Sequence, residues 1–201
     1  MKRASTFCRK MPPCDKLNSM NIAIRHAMTV DEYLTWSDSQ SERRRTELIN
    51  GQIVTMPAER LFHTRVKLNA FLALRRAIAV AGLPCEALPD GPGVRIDDHT
   101  VYEPDALVYC GGTPPPASML IPNPVILVEV LSPTTSHHDT SAKLIGYFKL
   151  PSVAHYLVID PEARTVTHHG RGKMPNLLSR GPLRLDPPGL DLTVEDLLGP
   201  A

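Results

Sequence analysis

The run "ILVEVL", from Ile126 to Leu131, constrains the fold of this chain more than any other segment. Its five apolar residues, which follow "NPV" and precede "SPTT", are typical of a strand that is covered on both faces. Glu129 stands in the middle of that run. Because an unpaired ionised carboxylate is costly to bury, we expect Glu129 either to have a partner or to lie at the mouth of a site that needs its charge.

The remaining pattern predicts one α/β domain. The dipeptide Asn50-Gly51 between "ELI" and "QIV" is a strong hairpin signal, because both turn positions need a positive φ. Helical periodicity runs from Arg60 to Ala81, ahead of Gly82. One stripe of this helix is predicted to face the core: Phe62, Val66, Ala70, Ala73 and Ala77.

Strand-like segments occupy much of the second half of the chain. A second helix is predicted from Asp139 to Leu150, with Leu144, Ile145 and Phe148 facing inward. "AHYLVID" and "RTVTHHG" predict another hairpin, and "GLDLTVEDLL" a last strand and a short closing helix. His168 and His169 are neighbours that point apart on a strand, so both are expected to face solvent rather than to share a metal.

Composition sets the outer limits on function. A chain of 201 residues with 42% hydrophobic content can bury one substantial core. The net charge of +1 argues against a protein that coats nucleic acid, so any contact with phosphates must be local. The four cysteines form no CxxC pair and are expected to be reduced thiols.

Residues 1–27 are expected to be a disordered leader or an over-long start, and residues 28–198 to form the domain. No segment is apolar enough to span a membrane, so we expect a cytoplasmic protein.

Two carboxylates define the candidate site. Strand alternation places Asp105 on one face with Leu107, and Glu129 on one face with Leu127. If the two strands are neighbours, the carboxylates converge near one end of the sheet, where they repel each other unless a cation intervenes. A hard divalent ion such as Mg²⁺ binds through one or two carboxylates and keeps positions for phosphate oxygens. The pair therefore favours hydrolysis of a phosphodiester bond, with no organic cofactor.

The segments "EPD" and "VEVLSP" resemble the PD-(D/E)xK motif of restriction-endonuclease-like nucleases. Most of that superfamily has a lysine two positions after the glutamate, where this chain has Leu131. The chain more closely resembles the Uma-type restriction endonuclease family. The similar segments are "ELINGQIV", "EPDALV", "VEVLSPTT" and the later Asp139, Lys143 and Tyr147, within residues 28–198. The resemblance implies a restriction-endonuclease-like α/β fold, with a central mixed sheet flanked by helices and an N-terminal β-hairpin.

The same resemblance implies a metal-dependent endonuclease acting on DNA. Asp105 and Glu129 would ligate Mg²⁺ or Mn²⁺, with the backbone carbonyl of Val130 as a further ligand. Lys143, which lies on the helix after the strand, would be the electrostatic catalyst. Double-stranded cleavage needs two such sites, so a homodimer is expected by analogy.

Three accessory residues and several alternatives remain open. Glu47 either approaches the metal or pairs with the arginines beside it. His63 lies early on the long helix, and Tyr147 shares a helix stripe with Lys143. For Glu129 the alternative is a buried salt bridge, and for Lys143 a surface pair with Asp139. The alternative function is a catalytically inactive nuclease-fold module that binds nucleic acid or a protein partner; a hydrolase of a small phosphoester is a third.

Overall fold

A computed structural model describes residues 26–41, 45–132 and 137–200, without the side chains of residues 137–139. Most of the predicted leader, residues 1–25, therefore lies outside the described residues, as do Arg43 and Arg44. The helices are α1 (Val30–Ser39), α2 (Leu61–Ala81), α3 (His137–Tyr147) and α4 (Val194–Leu198). The strands are β1 (Thr46–Ile49), β2 (Gln52–Thr55), β3 (Cys85–Pro89), β4 (Val94–Asp97), β5 (Thr100–Tyr102), β6 (Ala106–Cys110), β7 (Pro124–Val130), β8 (His155–Asp160), β9 (Thr165–Gly170), β10 (Asn176–Leu178), β11 (Pro182–Leu185) and β12 (Leu190–Thr193).

The largest sheet has the strand order β10-β9-β8-β7-β6-β3. Strands β7 and β8 are parallel and α3 connects them, whereas the other neighbouring pairs are antiparallel. A parallel pair needs such a crossover, because a tight turn cannot return the chain to the same end of the sheet. The prediction of a central mixed sheet flanked by helices is confirmed, as is the assumption that the strands following Asp105 and carrying Glu129 are neighbours.

A smaller sheet has the order β2-β1-β5-β4 and begins with the predicted hairpin. Asn50 and Gly51 form its turn with φ values of 50° and 76°. A Cβ on Gly51 would lie 2.6 Å from the Cβ of Ala27, so this position needs glycine for space as well as for conformation. The hairpin is thereby held against the start of the described chain, where the Met28 amide donates to the Gly51 carbonyl (3.1 Å).

The large sheet is covered on both faces, as the apolar run of β7 predicts. Helix α2 packs on one face through Val66, Ala70 and Leu74, which meet β6 and β7 residues such as Val128. On the other face, Tyr147 of α3 joins a cluster that includes Leu107, Leu127 and Tyr156. Full burial of each such side chain contributes roughly 1.5–3 kcal/mol, so both helices are held to the sheet by apolar contact.

Four local expectations are wrong. Phe62 and Ile145 are 49% and 68% exposed, because each falls just outside the narrow stripe that its helix buries. Helix α3 begins at His137, two residues before the predicted start at Asp139. His168 is half-buried and shares a hydrogen bond with the ring of His155 (2.9 Å) instead of facing solvent.

The expectation of four reduced thiols is also wrong. Cys85 on β3 and Cys110 on β6 occupy paired positions of the two strands and form a disulfide. Strand β3 was not predicted, because "CEALP" lies beside a stretch rich in Gly and Pro, and without that strand the two cysteines have no reason to meet. Within the described residues, no helix is both long and apolar enough to cross a membrane.

Candidate active site

Glu129 lies near the end of β7, between antiparallel β6 and parallel β8. It is buried, and its Oε1 atom accepts hydrogen bonds from Lys143 Nζ (3.0 Å) and from the Tyr147 hydroxyl (2.8 Å). Both donors come from α3, where their i, i+4 spacing puts them on the same face of the helix. The carboxylate in the apolar strand is therefore partnered by the helix that follows the strand.

Lys143 joins Glu129 to a second buried acid. Its Nζ lies 2.9 Å from Oε1 of Glu47, and the same Glu47 oxygen accepts the backbone N–H of Glu103 (2.8 Å). Glu47 and Lys143 are each only 2% exposed. Lys143 is therefore not at the surface, as the alternative of a surface pair required, and Glu47 pairs with this lysine rather than with the neighbouring Arg45.

The buried charges shift one another's pKa values. The pKa of Glu129 is raised to about 8, chiefly by burial and also by Asp105 and Glu47, against the opposing effect of Lys143. For Lys143, burial acts to lower the pKa, but Glu129 and Glu47 hold it well above its ordinary value. Burial, together with the same two acids, raises the pKa of Tyr147, so its hydroxyl stays protonated and donates. The ammonium of Lys143 is thus a firmly held positive charge that the carboxyl groups of Glu47 and Glu129 share.

Asp105 sits directly before β6 and faces a different set of partners. Its Oδ2 accepts the backbone N–H of Val130 (2.7 Å), which fixes the carboxylate beside the residue that follows Glu129. Its Oδ1 lies 2.9 Å from Nζ of Lys67 and 3.8 Å from Nη2 of Arg45. Since Lys67 belongs to α2 and Lys143 to α3, the two predicted metal ligands take their cationic partners from opposite faces of the sheet.

His63 of α2 contacts the third predicted ligand. Its Nε2 lies 2.6 Å from the carbonyl oxygen of Val130, and because a carbonyl only accepts, Nε2 carries the proton. Its Nδ1 lies 3.4 Å from Oε2 of Glu59. The accessory residue His63 is thus brought to the end of β7 together with Asp105, Glu129 and Val130.

Five charged residues at this site were missed in the sequence. Lys67 was the easiest to find, because a lysine one turn after His63 and next to Val66 lies on the buried stripe of α2. Arg45 belonged to a run of arginines that looked solvated, and the remaining three acids lie outside regular strands and helices. The missed residues are Arg45, Glu59, Lys67, Asp90 and Glu103.

The donors present fit a hard divalent cation. Asp105, Glu129 and the Val130 carbonyl offer only oxygen, which Mg²⁺ and Mn²⁺ prefer. Negative charge is also in excess, since six carboxyl groups surround three cationic side chains in the described part of the site. Among the described residues, Glu59, Asp90 and Asp105 form a group whose oxygens lie within 4.8 Å of one another.

Comparison with solved structures identifies the class of fold. The chain is similar to a crystal structure from Anabaena variabilis described as "a putative nuclease belonging to DUF820", with a TM-score of 0.69. The two share 17% sequence identity, and the match covers 85% of this chain and 97% of that one. The architecture is therefore that of a nuclease-like α/β fold.

Comparison of sequences identifies the family. The model of the Uma2 family, described as "Putative restriction endonuclease", matches residues 30–196, and the chain belongs to that family. Two uncharacterized Synechocystis sp. proteins are similar to it. Protein slr1290 is 28% identical over 66% of this chain and 68% of its own length, and sll1609 is 24% identical over 75% and 84%.

Proposed function

We propose that this protein is a divalent-metal-dependent endonuclease that hydrolyses phosphodiester bonds of DNA. The observation that carries the proposal is the placement of Asp105 and Glu129 at neighbouring ends of β6 and β7, with Asp105 on the Val130 amide and Glu129 on a buried lysine. Membership of the Uma2 family and the nuclease-like fold support it.

Each of these residues has a role that its contacts suggest. Asp105, Glu129 and the Val130 carbonyl would hold Mg²⁺ or Mn²⁺, which would polarise the phosphodiester and lower the pKa of an attacking water. Lys143 would set the charge of the site, since its ammonium neutralises part of the negative charge around Glu129.

The accessory residues act through these groups. Tyr147 fixes the orientation of the Glu129 carboxylate through its hydroxyl, and Glu47 holds the ammonium of Lys143 in place. His63 donates to the Val130 carbonyl and so orients the β7 terminus. Cleavage of both DNA strands would require two copies of this site, which is the reason to expect a homodimer.

One observation favours the alternative, a catalytically inactive module that binds nucleic acid or a protein partner. Lys143 is already engaged by Glu47 and Glu129, so it serves as the counter-ion of two buried acids without any metal or substrate. In that case the constellation would be a structural ion-pair network that the fold retains.

The test is titration of Mn²⁺ by calorimetry in chelator-treated buffer, with wild-type protein, Glu129→Gln and Asp105→Asn. Glu162→Gln, in the exposed turn between β8 and β9, is the control. We expect Mn²⁺ to bind wild type and control saturably. Its affinity for Glu129→Gln and Asp105→Asn should be at least tenfold weaker. Plasmid cleavage should follow the same order.

Two results would separate the alternatives. Equal Mn²⁺ affinity in wild type and Glu129→Gln would show that the ion does not bind at β7 and would refute the proposed site. Metal binding that depends on Glu129, without cleavage of single- or double-stranded DNA, would favour the binding module.

A further inference from the structure

A second group of acids lies on the α2 side of the site, and we call Glu59, Asp90 and Asp105 the outer cluster. Glu59 precedes α2, Asp90 follows β3 and Asp105 precedes β6. Each offers one carboxylate oxygen, and the three oxygens lie within 4.8 Å of one another. Three carboxylates this close repel one another strongly unless positive charge lies between them.

The ammonium of Lys67 lies between these carboxylates, and the guanidinium of Arg45 pairs with the same three from one side. The Nζ atom of Lys67 lies 2.7 Å from Glu59 and 2.9 Å from Asp105, and it also hydrogen-bonds Asp90. Lys67 is 5% exposed, so its charge is largely removed from water. A single cationic atom within hydrogen-bond distance of three convergent carboxylates occupies the position that a bound metal ion would take.

The outer cluster is reachable from solvent, in contrast to the acids around Lys143. The side chains of Glu59 and Asp90 are 22% and 34% exposed, whereas those of Glu47 and Glu129 are 2% and 10% exposed. An ion arriving from solution therefore meets Glu59 and Asp90 first.

His63 gives an independent indication of a ligand. It is buried, and its Nδ1 has no hydrogen-bond partner among the described residues although it lies 3.4 Å from Oε2 of Glu59. Because Nε2 faces the Val130 carbonyl, Nδ1 is the ring atom that points towards Glu59. A cation bound by Glu59 would give this buried nitrogen a partner.

We propose that Glu59, Asp90, Asp105 and Nδ1 of His63 form a second divalent-cation site, and that the Lys67 ammonium fills it when no ion is bound. The inference goes beyond the proposed function and depends on it only through Asp105, which both sites would share. A mixed set of carboxylate oxygens and one imidazole nitrogen suits Mn²⁺ better than Mg²⁺.

Competition between the ammonium and the ion has a distinctive consequence. The ion can enter only if Nζ of Lys67 withdraws from the carboxylates, so the lysine weakens binding at this site. Replacement of Lys67 by an uncharged residue should therefore strengthen metal binding, the opposite of what loss of a structural residue would do.

The experiment is a Mn²⁺ titration of the full chain, followed by the electron paramagnetic resonance signal of the free ion. Wild type, Lys67→Met and Lys67→Arg are compared, with Lys149→Met as control, since Lys149 makes an exposed ion pair with Asp97. Lys67→Met should bind the outer ion at least tenfold more tightly than wild type, whereas Lys67→Arg and the control should show no gain.

Further variants identify the site and keep the proposal testable if Lys67→Met does not fold. Glu59→Gln and Asp90→Asn should abolish the outer ion and leave the one that depends on Glu129, and Glu129→Gln should do the reverse. Unchanged affinity in Lys67→Met, or two bound ions in Glu59→Gln, would overturn the second site and leave the proposed function standing. A single bound ion whose affinity depends on Glu59 but not on Glu129 would instead refute the proposed function.

Discussion

Replacement of Lys143 by methionine tests how the buried acids are stabilised. The change keeps most of the side-chain volume but removes the ammonium that lies 2.9 Å from Glu47 and 3.0 Å from Glu129. Each acid keeps one neutral donor, the Glu103 amide for Glu47 and the Tyr147 hydroxyl for Glu129. Breaking a buried pair by removing one partner costs about 3–5 kcal/mol, because the remaining charge is left uncompensated.

This cost can be measured as a change in the free energy of unfolding. For a chain of this length each kcal/mol lowers the melting temperature by about 2–4 °C, so we expect Lys143→Met to melt roughly 6–20 °C below wild type. Urea denaturation gives the free energy directly. Lys149→Met, which removes an exposed lysine, should cost less than about 1 kcal/mol.

The pH dependence provides a second check on the same variant. With Lys143 present, the pKa of Glu129 is already raised to about 8, chiefly by burial, and loss of Lys143 removes the group that opposes this rise. A carboxyl group whose pKa is raised in the folded state favours folding at low pH and loses that contribution as pH rises through the folded pKa. The deficit of Lys143→Met should therefore be smaller at pH 6 than at pH 9. A cost no larger than that of Lys149→Met at both pH values would refute the argument.

Two other features predict measurable effects. Burial, together with His155, lowers the pKa of His168 to about 4, so the folded state binds fewer protons than the unfolded state between about pH 6.5 and 4. After allowance for the partial exposure of His168, the free energy of unfolding should fall by about 1–2 kcal/mol as pH falls through that window. Urea denaturation at a series of pH values should show a smaller fall for His168→Gln. The same pH dependence in wild type and variant would contradict this. The Cys85–Cys110 bond spans 25 residues, so a reductant should lower stability by about 3.5 kcal/mol in wild type but not in a Cys85→Ala, Cys110→Ala variant. Identical melting of wild type with and without reductant would contradict that role.

The sequence was most informative where short-range patterns decide the structure. The Asn50-Gly51 turn, the α2 helix with its end at Gly82 and the buried strand around Glu129 were all predicted, because turn conformation and burial periodicity depend on neighbouring residues. The fold class followed from the order of these elements and from the family resemblance.

The partners of the charged residues were harder to predict. Lys143 contacts Glu47, and Lys67 contacts Asp90, although members of each pair are far apart in sequence. Such contacts depend on how sheets and helices pack. The spacing of residues within one helix or strand does not predict them. The disulfide was missed for the same reason, since it depends on the pairing of β3 with β6.

The ammonium of Lys143 lies where the two larger sheets meet. Glu47 belongs to the sheet that contains the hairpin, Glu129 belongs to the six-stranded sheet, and the lysine reaches both from α3. The β1–β2 hairpin therefore cannot detach alone without exposing one half of a buried charge network, so its local opening should cost at least the roughly 3–5 kcal/mol of breaking that pair. A ligand that tightens the site would therefore also hold the two sheets together.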